Sequence, residues 1–444
     1  MKKVLFSISL MLCIAALSGC SEKEAAPVSE SGEVTASKET SEASAEEAED
    51  ETEDSEDELE MIVDWPGLMY LTMAASDEGC YEVMYGNPDG SANFLYTDIA
   101  TRQRIYLSPD LSADHQSPSD PSYIDNSLGG CFVFTAGDAL FLSRYNYEDT
   151  PGELYRMDLD GRNRRSLTKF TDYYAPTGGI ASDGQYLYTI LLSDDGNALV
   201  RINADTGELE VLKEVDGDAC FLMSAYEHYL VIKMINQSDE EDPAKTYEDQ
   251  KYIIYAYDLR NGAMEEITSW NQNEVIENYN KNQLYLIEKN SDCLKAVDLS
   301  GGEGGEEKML IPSFTDAGIN IDELSSVSQI WDHHMICNFI GENGEYTKKH
   351  IDLSSGEVKP LETYSDTLDA YSQQHLGIVG EFGDEFLVTS GTLEVPVDSF
   401  DPAGNPIVTD MIISKLSVIK KEDFWNNRFD AMEPVEDVFL ESLN

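Results

Sequence analysis

Hydrophobic and polar residues alternate with a period of two along many short stretches of the chain. In LYRMDLDGRNRRSL (154–167), one alternating run meets Asp-Leu-Asp-Gly and a second alternating run follows it. Such alternation is typical of strands with one buried face, and Asp-Gly marks a tight connection between two strands. The stretch therefore predicts a β-hairpin whose turn begins at Asp158.

The same hairpin recurs along the chain. Each copy is an alternating strand, then Asp or Asn followed by an apolar residue and a turn, then a second strand. The turn-starting residues are Asp98, Asp158, Asn203, Asp258, Asp298, Asp352 and, loosely, Lys420. Another strand pair precedes each copy, as in GGCFVFTAGDALFLSRYN (129–146). Four strands repeated seven times predict an all-β fold, a single β-propeller of about seven four-stranded blades, with six to eight allowed by the irregular spacing.

The N-terminus has the features of an export signal. Lys2 and Lys3 precede an apolar run over residues 4–17, and Leu17-Ser18-Gly19-Cys20 follows. A charged start, a short apolar run and small residues before a cleavage point are typical of a secretory signal peptide. Leu-Ser-Gly-Cys resembles the bacterial lipobox, which implies cleavage after residue 19 and diacylation of Cys20. Two acyl chains suffice for stable anchoring in a bilayer; an ordinary signal with an incidental cysteine is the alternative.

Residues 21–60 differ sharply from the rest in composition. They contain 14 Glu, 3 Asp and 2 Lys and no aromatic residue. Such a segment cannot bury enough apolar surface to offset its ordering entropy. The sequence therefore predicts three parts: a signal peptide (1–19), the lipidated cysteine with an acidic disordered linker (20–60), and the propeller domain (61–444).

Two short motifs carry a family resemblance. LYRMDLDGRNRRSL resembles the end of a YWTD repeat from the propellers of low-density-lipoprotein receptors, and ASDGQYLYTI (181–190) resembles the Ser-x-Asp-Gly turn of TolB-type propellers. With the lipobox, the chain resembles uncharacterised Gram-positive lipoproteins with a YWTD-like propeller. The resemblance covers most of residues 61–425. It implies a lipid-anchored protein on the extracytoplasmic face of the cell membrane, and it implies no particular activity.

The sequence lacks the ligands of a metal site that the related lipoproteins could form. In such lipoproteins a cluster of cysteines and a histidine after the first blade could hold a metal. The corresponding stretch, LSPDLSADHQSPSDPSYI (107–124), keeps His115 but has Ser108 and Ser112 where thiols would be needed. Because a structural zinc site needs four nitrogen or sulfur ligands, zinc is not expected.

Charge excludes some classes of partner. The chain carries a net charge of −57, of which +2 lies in the signal and −15 in the linker, leaving −44 for residues 61–444. Nucleic-acid binding depends on neutralising phosphates with basic residues, so a nucleic-acid partner is not expected. The excess of acidic residues serves solubility, or it attracts cations and basic proteins.

The sequence offers few groups for catalysis or metal binding. Asp158-Leu159-Asp160-Gly161 lacks the alternating carboxylates and distal Glu of a calcium loop, so we interpret it as a turn. None of the six histidines has the HExxH spacing; they are His115, His228, His333, His334, His350 and His375. His333 and His334 are predicted to lie within one strand and point to opposite faces. No nucleophile elbow or phosphate loop is present, and neither a metal nor a cofactor is predicted.

The remaining cysteines do not suggest a disulfide framework. Cys80, Cys131, Cys220, Cys293 and Cys337 form no CxxC pair and are odd in number. Most are predicted to be small buried apolar residues. A single bridge, Cys80–Cys131 or Cys220–Cys293, is left open.

These features favour a non-catalytic binding or scaffold module for a protein or glycan partner. Two long segments, 236–250 and 396–410, interrupt blades; they are predicted to be either insertions on one face, where propellers usually bind, or disordered surface loops. The first alternative is an enzyme acting on glycans or cell-wall material, with carboxylates converging on the central channel beside Arg102, Arg104, Arg144 or Arg201. The second alternative is a calcium-dependent adhesion or sensor domain.

Overall fold

The described residues fold into seven antiparallel sheets that follow one another along the chain. The computed structural model describes residues 59–443 except 64–72, 86, 88–90, 111–112, 114, 126–129, 148, 177, 195, 216–218, 237–249, 272–273, 302–305, 363–375 and 401–405. The predicted signal, Cys20 and the linker up to residue 58 lie outside the described residues, as do Ser112 and His375.

The sheets are blades 1 to 7 in chain order. An initial strand, β1 (Glu60–Val63), precedes them. Blade 1 contains β2 (Met73–Ala75), β3 (Gly79–Tyr85), β4 (Ala92–Asp98) and β5 (Gln103–Tyr106), with β6 (Tyr123–Ile124) beside β4. Blade 2 contains β7 (Cys131–Ala136), β8 (Ala139–Arg144), β9 (Gly152–Asp158) and β10 (Arg165–Phe170). Blade 3 contains β11 (Ile180–Ser182), β12 (Tyr186–Leu192), β13 (Asn197–Asn203) and β14 (Leu209–Val215).

The later blades repeat the pattern. Blade 4 contains β15 (Ala219–Tyr226), β16 (Tyr229–Asn236), β17 (Lys251–Asp258) and β18 (Met264–Asn271). Blade 5 contains β19 (Val275–Asn280), β20 (Gln283–Glu288), β21 (Cys293–Asp298) and β22 (Glu307–Ile311). Blade 6 contains β23 (Leu324–Trp331), β24 (His334–Ile340), β25 (Tyr346–Asp352) and β26 (Val358–Leu361). Blade 7 contains β27 (Gly377–Phe382), β28 (Glu385–Phe400), β29 (Pro406–Lys420) and β30 (Glu433–Pro434), and β31 (Glu436–Asp437) follows.

Short helices lie in some of the connections between strands and near the C-terminus of the described chain. The α-helix α1 (Lys421–Trp425) follows blade 7's third strand, and 3-10 helices cover Leu299–Gly301, Ile321–Glu323, Phe429–Ala431 and Val438–Leu443. Among the described residues, none of these helices is long and apolar enough to span a bilayer.

Hydrophobic packing closes the seven blades into a ring. Seven buried clusters each join one pair of neighbouring blades, and the seventh joins blade 7 to blade 1 through Leu387, Leu416 and Cys80. The described chain is therefore a seven-bladed β-propeller, which confirms the predicted fold class and blade number.

The period-two pattern has a direct structural cause. In β8, Ala139 and Phe141 pack against blade 3, whereas Leu140 and Leu142 pack against blade 1. Successive side chains of a strand point to opposite sides of the sheet. Because both sides of a blade face a neighbour, a central strand is apolar on both sides, while the outer strands alternate.

The strand β1 belongs to the propeller although it precedes the first blade. It pairs antiparallel with β11, the inner strand of blade 3, with Glu60 opposite Ser182 and Val63 opposite Ile180. Leu59 is buried in the cluster between blades 3 and 4, and Val63 in the cluster between blades 2 and 3. The chain is therefore fixed at Leu59, beside the first turn of blade 3.

A buried arginine holds the C-terminal residues against blade 1. Strand β31 runs parallel to β5. Arg104 of β5, which is fully buried, donates to Asp437 at 2.7 Å, to Glu82 at 3.0 Å and to the Ser414 carbonyl at 3.0 Å. These three partners come from the first blade, the last blade and the C-terminal strand. The guanidinium therefore joins the two ends of the ring.

The antiparallel order of strands gives the propeller two different faces. We call the face with the first-to-second and third-to-fourth strand connections the turn face. The opposite face carries the second-to-third connections and the connections between blades, and we call it the loop face. Because Glu60 pairs with Ser182 at the end of β11, Leu59 lies at the turn face.

The two long segments predicted as loops differ from each other. Segment 237–249, between β16 and β17, lies outside the described residues. Segment 396–410 belongs to a separate compact unit, and its residues 396–400 and 406–410 continue β28 and β29. The prediction of a loop over 396–410 is therefore wrong on both sides of 401–405, because the strands extend into it.

Candidate functional site

The Asp residues that repeat along the sequence lie at the turn face and cap their own turns. The Asp158 carbonyl accepts from the Gly161 amide at 2.8 Å, and its carboxylate accepts from the Asn163 side chain at 2.6 Å. Gly161 has φ +79°, a left-handed conformation that glycine adopts without a steric cost. The interpretation of Asp158-Leu159-Asp160-Gly161 as a turn is confirmed.

The other repeats use the same capping chemistry, with one exception. The carboxylates of Asp98, Asp258, Asp298 and Asp352 and the amide of Asn203 accept from backbone amides two or three residues later. At Lys420 the strand instead leads into α1, and no such turn forms. The described residues contain no group of three or more His, Cys, Asp or Glu side chains that could hold a metal ion.

His115 belongs to a buried polar network in the segment after β5. Its Nδ1 lies 3.1 Å from Asp120 Oδ2, which also accepts from Ser108 Oγ at 3.0 Å. Burial alone would raise the pKa of Asp120, but hydrogen bonds from Ser122 and Ser108 and the nearby His115 outweigh burial and lower it. The His115 ring stacks on Tyr106 with centroids 4.1 Å apart.

This network does not have the geometry of a catalytic triad. In a triad the serine hydroxyl bonds to the histidine, and the carboxylate bonds only to the other ring nitrogen. Here Ser108 donates to the Asp120 carboxylate, so the serine is not activated by His115. All three side chains are at least nine-tenths buried. The network therefore anchors His115 and Asp120 to blade 1.

The adjacent histidines of blade 6 differ from the predicted arrangement. Asp332 and His333 form the first turn of the blade with φ of +44° and +62°, so His333 is not within a strand. His334 begins β24 and stacks on Trp425 of α1 with centroids 4.2 Å apart. The prediction that both histidines share a strand is wrong, because the two-residue turn takes one of them.

His350 completes a cluster between blades 6 and 7. Its ring lies 5.1 Å from the His334 ring and 5.0 Å from the Trp425 ring, and the residue is only 2% exposed. Burial, with smaller contributions from His334 and Lys359, lowers the pKa of His350 to about 4. The side chain is thus a neutral packing group at neutral pH.

The four arginines considered for a channel site do not meet. Arg102 pairs with Glu385 at 2.7 Å, and Arg201 pairs with the exposed Glu210 at 2.7 Å. Arg104 is the buried ring-closing residue, and Arg144 lies 3.6 Å from Asp125 at the loop end of β8. The structure therefore places each of them with a different partner on the second, third or fourth strand of a blade or in a turn.

The inner strands offer no pair of free carboxylates in the described part of the ring. The inner strands of the blades are β2, β7, β11, β15, β19, β23 and β27, and β1 lies inside β11; together they carry three acidic residues, Glu60, Glu277 and Glu381. Glu277 pairs with Lys233, and Glu381 pairs with Lys421. Glycoside hydrolysis ordinarily needs two carboxyl groups facing one bond. The described inner strands do not supply that arrangement.

All five cysteines of the propeller are free thiols and buried. Burial raises the pKa of Cys337 to about 12. The bridges Cys80–Cys131 and Cys220–Cys293 that the sequence left open are absent from the described structure. Low-pKa, accessible thiols are the reactive ones, so these cysteines are packing residues.

An acidic cleft lies at the turn face beside blade 4. It encloses about 520 Å³, including space open to solvent, and its walls include Tyr226, Tyr229, Asp258, Glu265 and Glu266. The Tyr226 hydroxyl donates to the Leu299 carbonyl at 2.6 Å, and Asp258 caps its own turn. Glu265 and Glu266 are exposed and have no ion-pair partner among the described residues.

The loop face differs because it exposes aromatic rings. Nine large apolar or aromatic side chains of the described chain are exposed. Five belong to loop-face ends of strands or to loop-face connections: Tyr85, Tyr147, Tyr174, Ile340 and Tyr346. Val211 and Met309 lie on outer strands, and Val408 and Ile412 on β29. None of the nine lies in a described connection of the turn face.

Tyr85, Tyr147 and Tyr174 form what we call the tyrosine row, across blades 1, 2 and 3. The Tyr85 hydroxyl donates to the carbonyl of Cys131 in blade 2 at 2.9 Å. Next to Tyr147, the Asn146 side chain accepts from the Ala175 amide at 2.7 Å. Next to Ala175, the Tyr174 hydroxyl donates to Asp194 of blade 3 at 3.0 Å. These contacts place the three rings on consecutive blades.

Sequence reasoning pointed to the loop face but not to these tyrosines. Tyr85 ends an apolar strand and resembles the buried tyrosines of other strands. Tyr147 and Tyr174 lie in short polar connections, where one aromatic residue carries little signal. Their grouping depends on which connections become neighbours when the ring closes.

Comparisons with known proteins return propellers of several kinds. The β-propeller domain of the Trilobed protease from Pyrococcus furiosus is 12% identical, with a TM-score of 0.44, over 85% of this chain and 98% of that chain. A puromycin-hydrolysing peptidase from Mycobacterium tuberculosis is 13% identical, with a TM-score of 0.45, over 85% of this chain and 56% of that chain. TolB from Acinetobacter baumannii is 13% identical, with a TM-score of 0.32, over 80% of each chain. No protein-family profile matches the chain, and no curated protein matches it in sequence.

Proposed function

We propose that this protein is a membrane-anchored, extracytoplasmic lipoprotein whose propeller binds a protein or glycan partner without catalysing a reaction. The observation that carries the binding role is the concentration of exposed aromatic rings on the loop face. Tyrosine supplies a large, rigid contact area at low entropic cost, and exposed apolar patches mark interaction sites. The lysine-paired carboxylates of the described inner strands favour binding over hydrolysis.

The anchoring part rests on the sequence Leu17-Ser18-Gly19-Cys20 and on the position of Leu59. Because Leu59 is fixed at the turn face, the linker joins the propeller there. A lipid at Cys20 would then tether the propeller to the membrane through a flexible linker, which leaves the loop face accessible to a partner.

The anchor is tested by changing Cys20→Ala and fractionating cells. The wild-type protein is expected in the membrane fraction, and the variant is expected as uncleaved precursor or in the medium. A variant that is cleaved and still stays in the membrane at wild-type levels would contradict lipidation of Cys20.

The binding role is tested by affinity capture from envelope extract with the full-length protein. We expect a partner to be retained by wild type and lost from the double variant Tyr147→Ala, Tyr174→Ala. The matched control is Val211→Ala, Met309→Ala, which removes two exposed apolar side chains from outer strands. A glycan-hydrolysis panel runs beside it, and turnover abolished by changing one inner-strand carboxylate would refute the non-catalytic role.

A further inference from the structure

The tyrosine row lies beside carboxylates that form no ion pair with any described basic side chain. Asp149 is two residues from Tyr147, and Asp172 is two residues from Tyr174. Both are exposed, and neither has an ion-pair partner among the described residues. Asp194 is also exposed and accepts from the Tyr174 hydroxyl. The surface between blades 2 and 3 therefore combines aromatic rings with unpaired negative charge.

The hydroxyls of two row members are already used inside the protein. Tyr85 donates to the Cys131 carbonyl, and Tyr174 donates to Asp194. The pKa of Tyr174 is raised because its hydroxyl donates a hydrogen bond to the Asp194 carboxylate. A partner would therefore contact the aromatic rings of Tyr85 and Tyr174 rather than their hydroxyls. A glycan requires many hydrogen bonds, so this arrangement suits it less well than a cationic group.

Ring faces beside carboxylates match the chemistry of lysine and arginine. A cation is attracted to the face of an aromatic ring and also to a nearby carboxylate. Mutual backbone hydrogen bonds between Tyr147 and Thr150, at 3.0 and 2.9 Å, keep Tyr147 and Asp149 close together in one connection. Pre-organised groups of this kind lose little entropy when a partner binds.

We propose that the tyrosine row, with Asp149 and Asp172, binds a lysine- or arginine-rich segment of another protein. This rests on the proposed binding function and names the class of its partner. The three consecutive blades suit an extended segment that lies across the loop face. Complementary charge acts mainly on the association rate, so binding is expected to weaken as ionic strength rises.

The test uses a fluorescent peptide of about ten residues, alternating lysine and serine, with a photo-crosslinking group. The full-length protein in detergent is titrated at low and near-physiological salt. The variant Asp149→Asn, Asp172→Asn is compared with Glu265→Gln, Glu266→Gln, which removes equal charge at the turn-face cleft. We expect the first variant to weaken binding about tenfold and the second less than twofold.

Cross-link mapping gives a readout that does not depend on affinity. Adducts are expected near Tyr85, Tyr147 or Tyr174, and the variant Tyr147→Ala, Tyr174→Ala is expected to lose them while keeping its urea midpoint. Equal losses for the two charge variants, or adducts confined to residues 21–60 or to the cleft, would overturn the proposal. If the peptide proposal fails but a partner is still captured from envelope extract, the proposed binding function stands. If the protein hydrolyses a glycan, the proposed non-catalytic function fails as well.

Discussion

The turn face and the loop face are built from the same strands but use their polar residues in opposite ways. On the turn face, Asp and Asn side chains accept hydrogen bonds from their own turns, and Arg104 binds three partners nearby. On the loop face, Asp149 and Asp172 have no ion-pair partner among the described residues, and tyrosine rings are exposed. The bonded aspartates of the turn face stabilise their own turns, and Asp149 and Asp172 of the loop face are the ones proposed to bind a partner.

This difference follows from the way a propeller closes. Neighbouring blades are held by apolar clusters along their whole sides, so either face could carry the binding surface. The first-to-second connections of the turn face have only two or three residues, whereas the connections of the loop face range from three to more than ten residues. Binding residues concentrate on connections that a rigid scaffold positions. Under the proposed function, stability and recognition are separated to opposite faces.

The largest expected effect comes from breaking the ring closure with Arg104→Ala. The substitution leaves Glu82 and Asp437 without their partner, and Glu82 is buried with a pKa raised by desolvation despite Arg104. Removing one partner of a buried ion pair costs about 3–5 kcal/mol. We expect a corresponding loss in the free energy of unfolding, measured from urea transitions.

The matched control for that variant is Arg201→Ala. Arg201 pairs with Glu210, but both side chains are substantially exposed. Exposed pairs contribute about 0–1 kcal/mol. Similar losses for the two arginine variants would show that the Arg104 contacts do not close the ring.

A smaller effect is expected from acid, through His350 near the turn face. An unfolded histidine has a pKa of about 6.5, whereas burial lowers the pKa of His350 to about 4. Between these values the unfolded state binds the proton more readily, so stability falls as pH falls from about 6.5 to about 4. The upper limit of this loss is about 3 kcal/mol.

The variant His350→Leu isolates that contribution. It is expected to be less sensitive to pH between 7 and 4 than wild type, measured as the pH dependence of the unfolding free energy. His333→Asn is the control, because His333 is exposed and its left-handed conformation suits asparagine. An unchanged pH slope in His350→Leu would show that other groups cause the acid sensitivity.

Local interactions explain which parts of the fold the sequence predicted. The turns at Asp98, Asp158 and Asp258 were predictable because each carboxylate accepts a hydrogen bond from a residue two to five positions later. The blade number followed from counting those turns. The turn predicted at Lys420 does not form, because α1 follows there instead. That helix packs on blade 6 through Trp425 and His334, which are far apart in the sequence.

Long-range contacts explain what the sequence did not predict. Arg104 and Asp437 are separated by 333 positions, and no local pattern connects them. β1 follows an acidic segment and has only four residues, so its pairing with β11 had no periodic signal. The tyrosine row was also unpredictable, because exposure of a ring depends on which loops the closed ring brings together.

The smallest expected effects come from replacing one aspartate on each face, Asp352 and Asp149. Asp352 at the turn face accepts from the Ser354 amide at 2.8 Å and from the Ser355 hydroxyl at 2.7 Å. Losing a charged cap of this kind costs about 1 kcal/mol. Asp149→Ala at the loop face removes no hydrogen bond seen among the described residues, so its free energy of unfolding is expected to change by no more than about 0.5 kcal/mol.

Unfolding midpoints and binding of the lysine–serine peptide are measured for both variants. Asp352→Ala should lower stability and retain binding, whereas Asp149→Ala should retain stability and weaken binding. If both variants lose stability equally and bind the peptide equally, the functional separation of the two faces is wrong.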